Sequence, residues 1–443
     1  MPAVMHEALR QTVHRLEGLA HDYDALMELI GGARVVLLGE ASHGTQEFYR
    51  ERARITQRLI TEKGFMAVAV EADWPDAYRV HRYVTGRSTD PTAVDSLGDF
   101  QRFPTWMWRN TEVREFIQWL RTYNDAQPEL GKAGFYGLDL YSLHASMHAV
   151  LGYLEKTDPP AAARARYRYA CFDHFGEDSQ RYGYTAGFGL SATCEEEVMA
   201  QLRDLRRHTE DYLRRDGAVA EDEFFYAEQN ARLVANAEQY YRSMLQSRIS
   251  SWNLRDRHMT ETLVALMTHL GRRITFPKVV LWEHNSHLGD ARATQMSEEG
   301  EINVGQLIRE RYGKHTVSVG FTTYQGTVTA ASAWDGATER KRVRPALPSS
   351  YEALLHDMGI PKFLLTWEDD ARLRELFNER RLERAIGVIY VPETERLSHY
   401  FYATLPAQFD AVLHVDETHA VDPLDGDQTW VDNEAPETFP TGM

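Results

Sequence analysis

A short apolar run that ends abruptly in polar residues is the feature that most constrains the fold of this chain. The run Ala33–Gly39, ARVVLLG, is rich in leucine and β-branched residues, which is typical of a strand buried on both faces. A helical pattern follows through FYRERARITQRLITEKG, and Lys63–Gly64 is typical of a helix C-terminus. A second apolar run, Phe65–Val70, then leads into Glu71. Strand, helix and strand in about forty residues indicate a βαβ unit with parallel strands.

The same pattern returns later in the chain and predicts one large α/β domain over residues 1–443. Between Leu143 and Arg272 the periodicity is helical, which predicts several long helices inserted between two strands. After Ala420 the chain is acidic and has several prolines, so we expect residues 420–443 to lie along the surface. The expected fold is a mostly parallel central sheet flanked by helices, with an inserted helical subdomain at 143–272. Its further strands are expected at GFYGLDL ending near Asp139, at FPKVVLWEHNSH, at His315–Gly326, at Ala385–Glu395 and at Phe409–His419.

Composition excludes several classes of protein. No apolar run approaches the ~20 residues that span a bilayer, and the N-terminal segment lacks the features of a secretory signal. Only two cysteines occur, so no disulfide framework is expected and a cytoplasmic location is predicted. The formal net charge of −17 repels phosphate backbones and argues against a nucleic-acid partner. The sequence does not define an oligomeric state.

Charged and polar residues stand where the predicted strands end. Ligands of open α/β sheets bind beyond the carboxyl ends of the strands, so these residues are the candidates for a site. A single one of them is most simply explained as a helix cap or a paired structural group. Several acids and three histidines at one rim are more than capping requires. The residues are Glu40, His43, Glu71, Asp73, Asp139, Glu283, His284 and His287.

A histidine paired with a carboxylate can take a proton from water and later protonate an alkoxide. Further imidazoles across the cleft could orient an ester or stabilise its oxyanion. The same residues leave two other chemistries open. His284 and His287 have a spacing that also suits a metal such as zinc, although the sequence has no HExxH motif. Ser42 could be a nucleophile, but Glu40 stands where a nucleophile elbow needs glycine, so Ser42 is better explained as a helix cap.

An aromatic segment, FQRFPTWMWRN at Phe100–Asn110, is the other unusual feature. Phe103, Trp106 and Trp108 could form the wall of an apolar substrate cleft. The alternative, which burial habits favour, is that these rings fill the core. No phosphate-binding loop and no dinucleotide fingerprint is present, so neither ATP nor NAD is expected.

The segments GEASHGTQEFY, VEADW and WEHNSH, with WNLRDRHM at Trp252–Met259, resemble the erythromycin esterase family. The resemblance extends from Val35 to about Asp422 and implies a hydrolase acting on an ester or lactone of a small molecule. Macrolide inactivation and a housekeeping or cell-envelope role are both compatible with it. We expect no cofactor, while a divalent metal such as zinc stays open because the wider superfamily includes metal-dependent peptidases. A metal-dependent hydrolase or peptidase and a non-catalytic binding protein are the alternatives. The implied catalytic residues are His43 as general base with Glu40, Glu71, His284 and His287; the expected substrate-binding residues are Arg54, Asp73, Trp106, Arg255 and Asp256.

Overall fold

A computed structural model describes residues 13–213, 217–367 and 371–426. The predicted α/β fold, a mostly parallel sheet with helices around it, is confirmed. Within these described ranges, nine strands form the main sheet and two form a separate antiparallel pair. The strands are β1 (His14–Arg15), β2 (Val35–Leu38), β3 (Ala67–Asp73), β4 (Gly134–Asp139), β5 (Val279–Trp282), β6 (Thr316–Ala330), β7 (Glu339–Val343), β8 (Lys362–Thr366), β9 (Arg381–Arg384), β10 (Tyr400–Ala403) and β11 (Ala411–Thr418).

Helices surround the main sheet and fill the long connection between β4 and β5. In chain order they are α1 (Asp24–Ile30), α2 (Gln46–Lys63), α3 (Trp74–Val84), α4 (Ala93–Ser96), α5 (Thr111–Asp125), α6 (Leu143–Thr157), α7 (Pro159–Tyr169), α8 (Ser179–Gly187), α9 (Glu195–Arg207), α10 (Thr209–Leu213), α11 (Gly217–Met244), α12 (Arg248–Gly271), α13 (Asn285–Leu288), α14 (Val304–Tyr312), α15 (Tyr351–His356), α16 (Ala371–Phe377), α17 (Glu395–Ser398) and α18 (Leu405–Gln408). Short 3₁₀ turns lie at Thr105–Met107, Glu129–Gly131, Ala170–Phe175, Ala291–Ala293, Gln295–Glu299, Gly313–His315 and Pro392–Thr394.

The order of the strands across the main sheet is β1-β8-β11-β6-β2-β5-β3-β4, with β7 paired to β6. β2 and β3 run in the same direction, as predicted, but they are not neighbours because β5 lies between them. In the register of the three strands, Leu38 is level with Trp282, and Trp282 is level with Val70. The polar residues that follow β2, β5 and β3 therefore leave the sheet side by side.

The two faces of the sheet pack against different layers. Alternate residues of a strand point to opposite faces, so Val36 and Leu38 of β2 join one apolar core while Val35 and Leu37 join the other. The first core includes α2 and α5, and the second is shared with the helices between β4 and β5. Burial on both faces explains why these strands are continuous apolar runs.

The connection between β4 and β5 is helical from Leu143 to Gly271 in its described residues. Here Cys171 and Cys194 form a disulfide, with their Cα atoms 5.9 Å apart. The sequence led us to expect no disulfide framework, and the fold nevertheless brings these residues, 23 positions apart, into one disulfide. The cytoplasmic location stays a prediction. None of the described helices is both long and apolar enough to cross a bilayer.

The structure differs from the expectations in two further segments. Residues 385–395 were expected as a strand, but the strand here is β9, which ends at Arg384. In the segment that follows, buried Ile386 bridges to Ser42 and half-buried Ile389 bridges to Ala331, one residue at a time, instead of forming a ladder. The beginning of the acidic tail packs against the protein, and residues 427–443 lie outside the described part of the chain.

Candidate active site

The turn after β2 is built on two glycines that allow close packing. A side chain at Gly39 would bring a Cβ within 2.1 Å of Oδ1 of Asn285, and one at Gly44 would come within 1.8 Å of the carbonyl oxygen of Thr329. The turn is thus pressed between β5 and β6, and it presents the side chains of Glu40 and His43 at the end of the sheet. Ser42 was expected to cap α2, but Thr45 occupies the N-cap position. The Ser42 hydroxyl instead contacts the Thr45 hydroxyl.

Glu40 holds His43 from one side and Arg52 from the other. Oε1 of Glu40 lies 2.8 Å from Nδ1 of His43, and Oε2 lies 2.7 Å from Nη2 of Arg52. Glu40 and Arg52 are fully buried. The guanidinium carbon of Arg52 also lies 4.5 Å from the ring centre of Tyr49 and 5.2 Å from that of Trp282. Such a paired and stacked cation compensates the buried carboxylate, which would otherwise be costly.

His284 stands beside His43, with 4.9 Å between the ring centres. Its Nδ1 lies 2.8 Å from the hydroxyl oxygen of Ser286 and, as the N-cap of α13, accepts a hydrogen bond from the backbone N–H of Ser286 at 3.2 Å. Burial lowers the pKa of His284 well below its ordinary value, and the charge of nearby His43 lowers it further. Nε2 of His284 is buried and has no hydrogen-bond partner in the described structure.

Glu71, at the end of β3, is the centre of a second charged group. Its Oε2 accepts a hydrogen bond from the backbone N–H of His284 at 2.9 Å, and its Oε1 accepts one from Nη2 of Arg255 at 2.7 Å. Arg255 also donates to both carboxylate oxygens of Asp139, at 3.0 and 2.7 Å. Burial alone would raise the pKa of Glu71, but the charges of His287, Arg255 and His43 outweigh burial and hold the pKa well below its ordinary value.

His287 is fixed on both of its ring nitrogens. Nδ1 lies 2.9 Å from Oδ1 of Asp256, and Nε2 faces Arg255 at 3.0 Å and Glu71 at 3.4 Å. The ring stacks on Trp252, with centres 4.4 Å apart and planes 9° from parallel. Burial opposes a charge on His287, but the carboxylates of Asp256 and Glu71 outweigh burial and raise its pKa.

Asp73 lies at the edge of this group. It forms an ion pair with Arg102 and accepts a hydrogen bond at 3.0 Å from the backbone N–H of Ser142. Burial raises the pKa of Asp73, and the charge of Arg102 only partly opposes that effect. The guanidinium of Arg102 lies 5.9 Å from the ring centre of Tyr141, against which Arg255 also packs at 4.9 Å. Asp73 is thus joined to the cluster, as expected of a residue at the rim.

Two of the expected substrate-binding residues, Arg54 and Trp106, lie outside the groups around His43 and Glu71. Arg54 is half exposed and contacts Glu51 at 3.4 Å, away from Glu40 and His43. Trp106 is 1% exposed and belongs to the core, and its neighbour Trp108 donates to the backbone carbonyl of Glu71 at 3.2 Å. The core interpretation of both tryptophans is therefore the better one.

Sequence reasoning missed Arg52, which pairs with Glu40. A signal was present, because Arg52 falls between Phe48 and Ile55 on the apolar face of α2, where a charged residue needs a buried partner. Asp139 was noticed at the end of a strand, but its part in holding Arg255 was not predicted. Trp252 was recognised only as part of a motif.

Glu283 was noted at the end of β5 and has an unusual environment. It is fully buried, and neither carboxyl oxygen has a hydrogen-bond partner in the described structure. Burial, with the neighbouring charges of Glu71 and Asp256, raises the pKa of Glu283 well above its ordinary value. Burial thus disfavours the ionised form of this carboxyl group.

The arrangement does not favour the metal-binding interpretation of His284 and His287. Both nitrogens of His287 and Nδ1 of His284 already have protein partners, which leaves Nε2 of His284 as the open nitrogen of the pair. Among the described residues, no three histidine, cysteine, aspartate or glutamate side chains are grouped so that they could hold a metal ion. The residues present thus do not fit a zinc site.

The model of the family described as erythromycin esterase matches residues 60–418 of the chain. Erythromycin esterase type II from Escherichia coli is 23% identical over 423 residues, covering 86% of this chain and 94% of that protein. Putative hydrolase YbfO from Bacillus subtilis (strain 168) is 22% identical over 415 residues, covering 88% and 85%. The crystal structure of a succinoglycan biosynthesis protein has the same fold, with a TM-score of 0.77 at 21% identity over 95% of this chain and 98% of that one. The match of the family model over most of its length places the chain in the erythromycin esterase family, whose name indicates a hydrolase acting on esters.

Proposed function

We propose that this protein hydrolyses a carboxylic ester or lactone with a water molecule that His43 deprotonates. The observation that carries the proposal is the contact of 2.8 Å between Nδ1 of His43 and Oε1 of Glu40. A carboxylate only accepts hydrogen bonds, so Nδ1 of His43 carries the ring proton and donates a hydrogen bond to Glu40. Nε2 of His43 then keeps its lone pair, which is the form that a general base requires.

His284 supplies the complementary group. Since its Nδ1 accepts from a backbone N–H, and since burial keeps the ring neutral, the proton of His284 is on Nε2. Among the described residues this N–H has no well-formed hydrogen-bond partner, although the ring also interacts with the backbone of Ala41, and it lies beside the ring of the proposed base. It is suited to donate to the carbonyl oxygen of an ester, where negative charge develops in the transition state.

The proposed reaction needs one water and no other reactant. Nε2 of His43 takes a proton from water while the water oxygen bonds to the carbonyl carbon, and the carbonyl electron pair moves to the oxygen, which accepts a hydrogen bond from His284. The tetrahedral intermediate then collapses, the bond from carbon to the alkoxide oxygen breaks, and protonated His43 donates its proton to that oxygen. The products are a carboxylic acid and an alcohol, or a hydroxy acid from a lactone.

The substrate is proposed as a small-molecule ester, and a macrolide lactone is the first one to examine because of the family. Glu71 and Arg255 form the remaining charged group. This group is joined to His284, because Glu71 accepts a hydrogen bond from the backbone N–H of His284. We propose that Arg255 and Asp256 act by fixing Glu71 and His287, since their polar atoms are already engaged with protein partners.

An ester panel that includes a macrolide lactone tests the proposal, with and without a chelator. We expect turnover that the chelator does not change. Ser42→Ala should retain that turnover, because in this proposal water and not Ser42 attacks the carbonyl. The absence of turnover on every ester, its loss with chelator, or its loss in Ser42→Ala would each contradict the proposed mechanism.

A further inference from the structure

An aromatic contact joins two segments that are far apart in the chain. Phe103 and Trp334 meet edge to face, with ring centres 5.2 Å apart and planes at 67°. Phe103 lies just before the 3₁₀ turn at Thr105–Met107, and Trp334 lies in the connection from β6 to β7. Both side chains are half-buried.

The Phe103 segment is attached to the charged side of the candidate site. Its neighbour Arg102 packs near the ring of Tyr141, against which Arg255 also packs. Trp108 fastens the same segment to the end of β3 through its indole N–H. Phe103 therefore stands on a segment that is anchored at the end of β3.

The Trp334 segment is attached to the His43 side. The backbone N–H of His43 donates to the carbonyl of Ile386 at 3.3 Å, and Ala331 bonds to residues 388 and 390 of the same segment at 2.9 and 3.0 Å. Trp334 follows Ala331 by three residues. β6 also donates a backbone hydrogen bond to the carbonyl of Gly44, next to His43. The two aromatic residues thus belong to segments that follow β6 and are anchored at β3, the strands on either side of β2 and β5, whose carboxyl ends carry His43 and His284.

This contact matters because the two proposed reactive histidines are nearly enclosed. His43 is 7% exposed and His284 is 1% exposed. A large ester can reach both rings only when a wall of the cleft yields. The connection that carries Trp334 is irregular and has exposed residues on both sides of the ring, at Ala333 and Asp335, whereas the Phe103 wall is anchored.

We propose that Phe103 and Trp334 form an aromatic gate, which limits the size of the ester that reaches His43. The gate rests on the proposed ester hydrolysis, and it adds a pair of residues that determine substrate size without touching the water that attacks. A small acyl group enters beneath the closed pair, and a bulky one requires Trp334 to separate from Phe103.

Hydrolysis of p-nitrophenyl acetate and of p-nitrophenyl esters of bulkier acids by Phe103→Ala and Trp334→Ala tests the gate. We expect the ratio of kcat/KM for the bulky esters to that for acetate to rise about tenfold in both variants, the scale on which pocket size discriminates between substrates. Trp334→Phe keeps an aromatic ring and should stay near the wild-type ratio. Phe188→Ala is the matched control, because Phe188 meets Tyr184 at the same centre-to-centre distance of 5.2 Å on the helical region. A ratio in the gate variants equal to that of Phe188→Ala would overturn the proposal.

A second readout does not depend on turnover. Diethyl pyrocarbonate modifies accessible histidines, and mass spectrometry of peptides from the labelled and then digested protein reports the rate at His43. We expect faster modification of His43 in Trp334→Ala than in wild type or Phe188→Ala. Equal rates in the three proteins would refute the gate. If the wild type hydrolyses no ester, but His43 is modified faster in Trp334→Ala than in wild type, the proposed function is refuted and the gate is supported.

Discussion

The rings of His43 and His284 lie 4.9 Å apart at an angle of 48°, although 240 residues separate them in the chain. They are neighbours because β5 enters the sheet between β2 and β3, so the turn after β5 lies beside the turn after β2. Asn285 fixes this relationship, since its backbone N–H donates to the carbonyl of Glu40 at 2.8 Å. In the proposed mechanism, His43 accepts a proton and His284 donates a hydrogen bond.

Replacement of His284 tests the donor role. His284→Ala removes the N–H that faces the carbonyl oxygen and is expected to lower kcat about 10²–10³-fold, as the loss of one oxyanion donor does elsewhere. His284→Gln places an amide N–H near the same position and should recover part of that loss, mainly in kcat and not in KM. Equal kcat values for the two variants, measured on one ester at saturation, would contradict the donor role.

Arg52 and Arg54 make a direct comparison, because they lie two residues apart on α2 and only Arg52 contacts Glu40. Arg52→Lys keeps the charge but loses the planar group that pairs with Glu40 and packs on Tyr49. We expect kcat/KM to fall at least about tenfold, which corresponds to about 1.4 kcal/mol. Arg54→Lys should stay within about twofold of wild type, since exposed pairs contribute little. A larger loss of kcat/KM in Arg54→Lys than in Arg52→Lys would contradict this prediction and favour Arg54 as a substrate-binding residue.

The lowered pKa of Glu71 predicts how stability depends on pH. A carboxyl whose folded pKa lies below its unfolded value of 4.5 stabilises the fold when ionised, so that contribution is complete above pH 4.5 and is lost as the pH falls toward the folded pKa. Glu71→Gln should lower the free energy of unfolding at neutral pH by about 3–5 kcal/mol and weaken its decrease below pH 4.5. Glu62→Gln is the control, because Glu62 also has a lowered pKa, through Arg58, but is exposed to solvent. Urea unfolding at a series of pH values gives the free energy of unfolding of each variant. Identical dependence of that free energy on pH in Glu71→Gln and Glu62→Gln would contradict the prediction.

Asp256 is expected to set the proton affinity of His287. Asp256→Asn keeps an oxygen that accepts from Nδ1 of His287 but removes the charge that raises the pKa of that ring. The pKa of His287 should fall, so the alkaline arm of the kcat/KM profile should move to lower pH. Asp222→Asn is a matched control, since Asp222 lies 2.9 Å from Nε2 of His269 outside the catalytic cluster. An alkaline arm that stays in place in Asp256→Asn would show that the charge of His287 does not enter the reaction.

Local patterns in the sequence predicted the elements and the polar ends of the strands. The helix at Gln46–Lys63 ends as its sequence indicates, with Gly64 at φ 69°. Residues 71, 284 and 287 meet because the carboxyl ends of parallel strands share one edge of the sheet. These features depend on the few residues around each position, which is why the sequence alone discloses them.

The order of the strands could not be predicted in the same way. β5 follows β4 by about 140 residues in the chain, counted from Asp139 to Val279, and its place between β2 and β3 is decided by packing on both faces of the sheet. The pairing of Cys171 with Cys194 and the contact of Phe103 with Trp334 likewise depend on distant segments. Arg52 could have been found, because a charge on an apolar helix face demands a partner, but Glu40 could not have been named as that partner.

The most direct test compares His43 with His419, because both form a contact of 2.8 Å from Nδ1 to a glutamate, Glu40 and Glu47 respectively. His419 is exposed, and its ring is not beside His284. On an ester that the wild type cleaves, His43→Ala should lose turnover by at least about a hundredfold and regain part of it with added imidazole, while His419→Ala should match wild type. Undiminished turnover in His43→Ala, with the fold intact by circular dichroism, would contradict the assignment of His43 as the base that activates water.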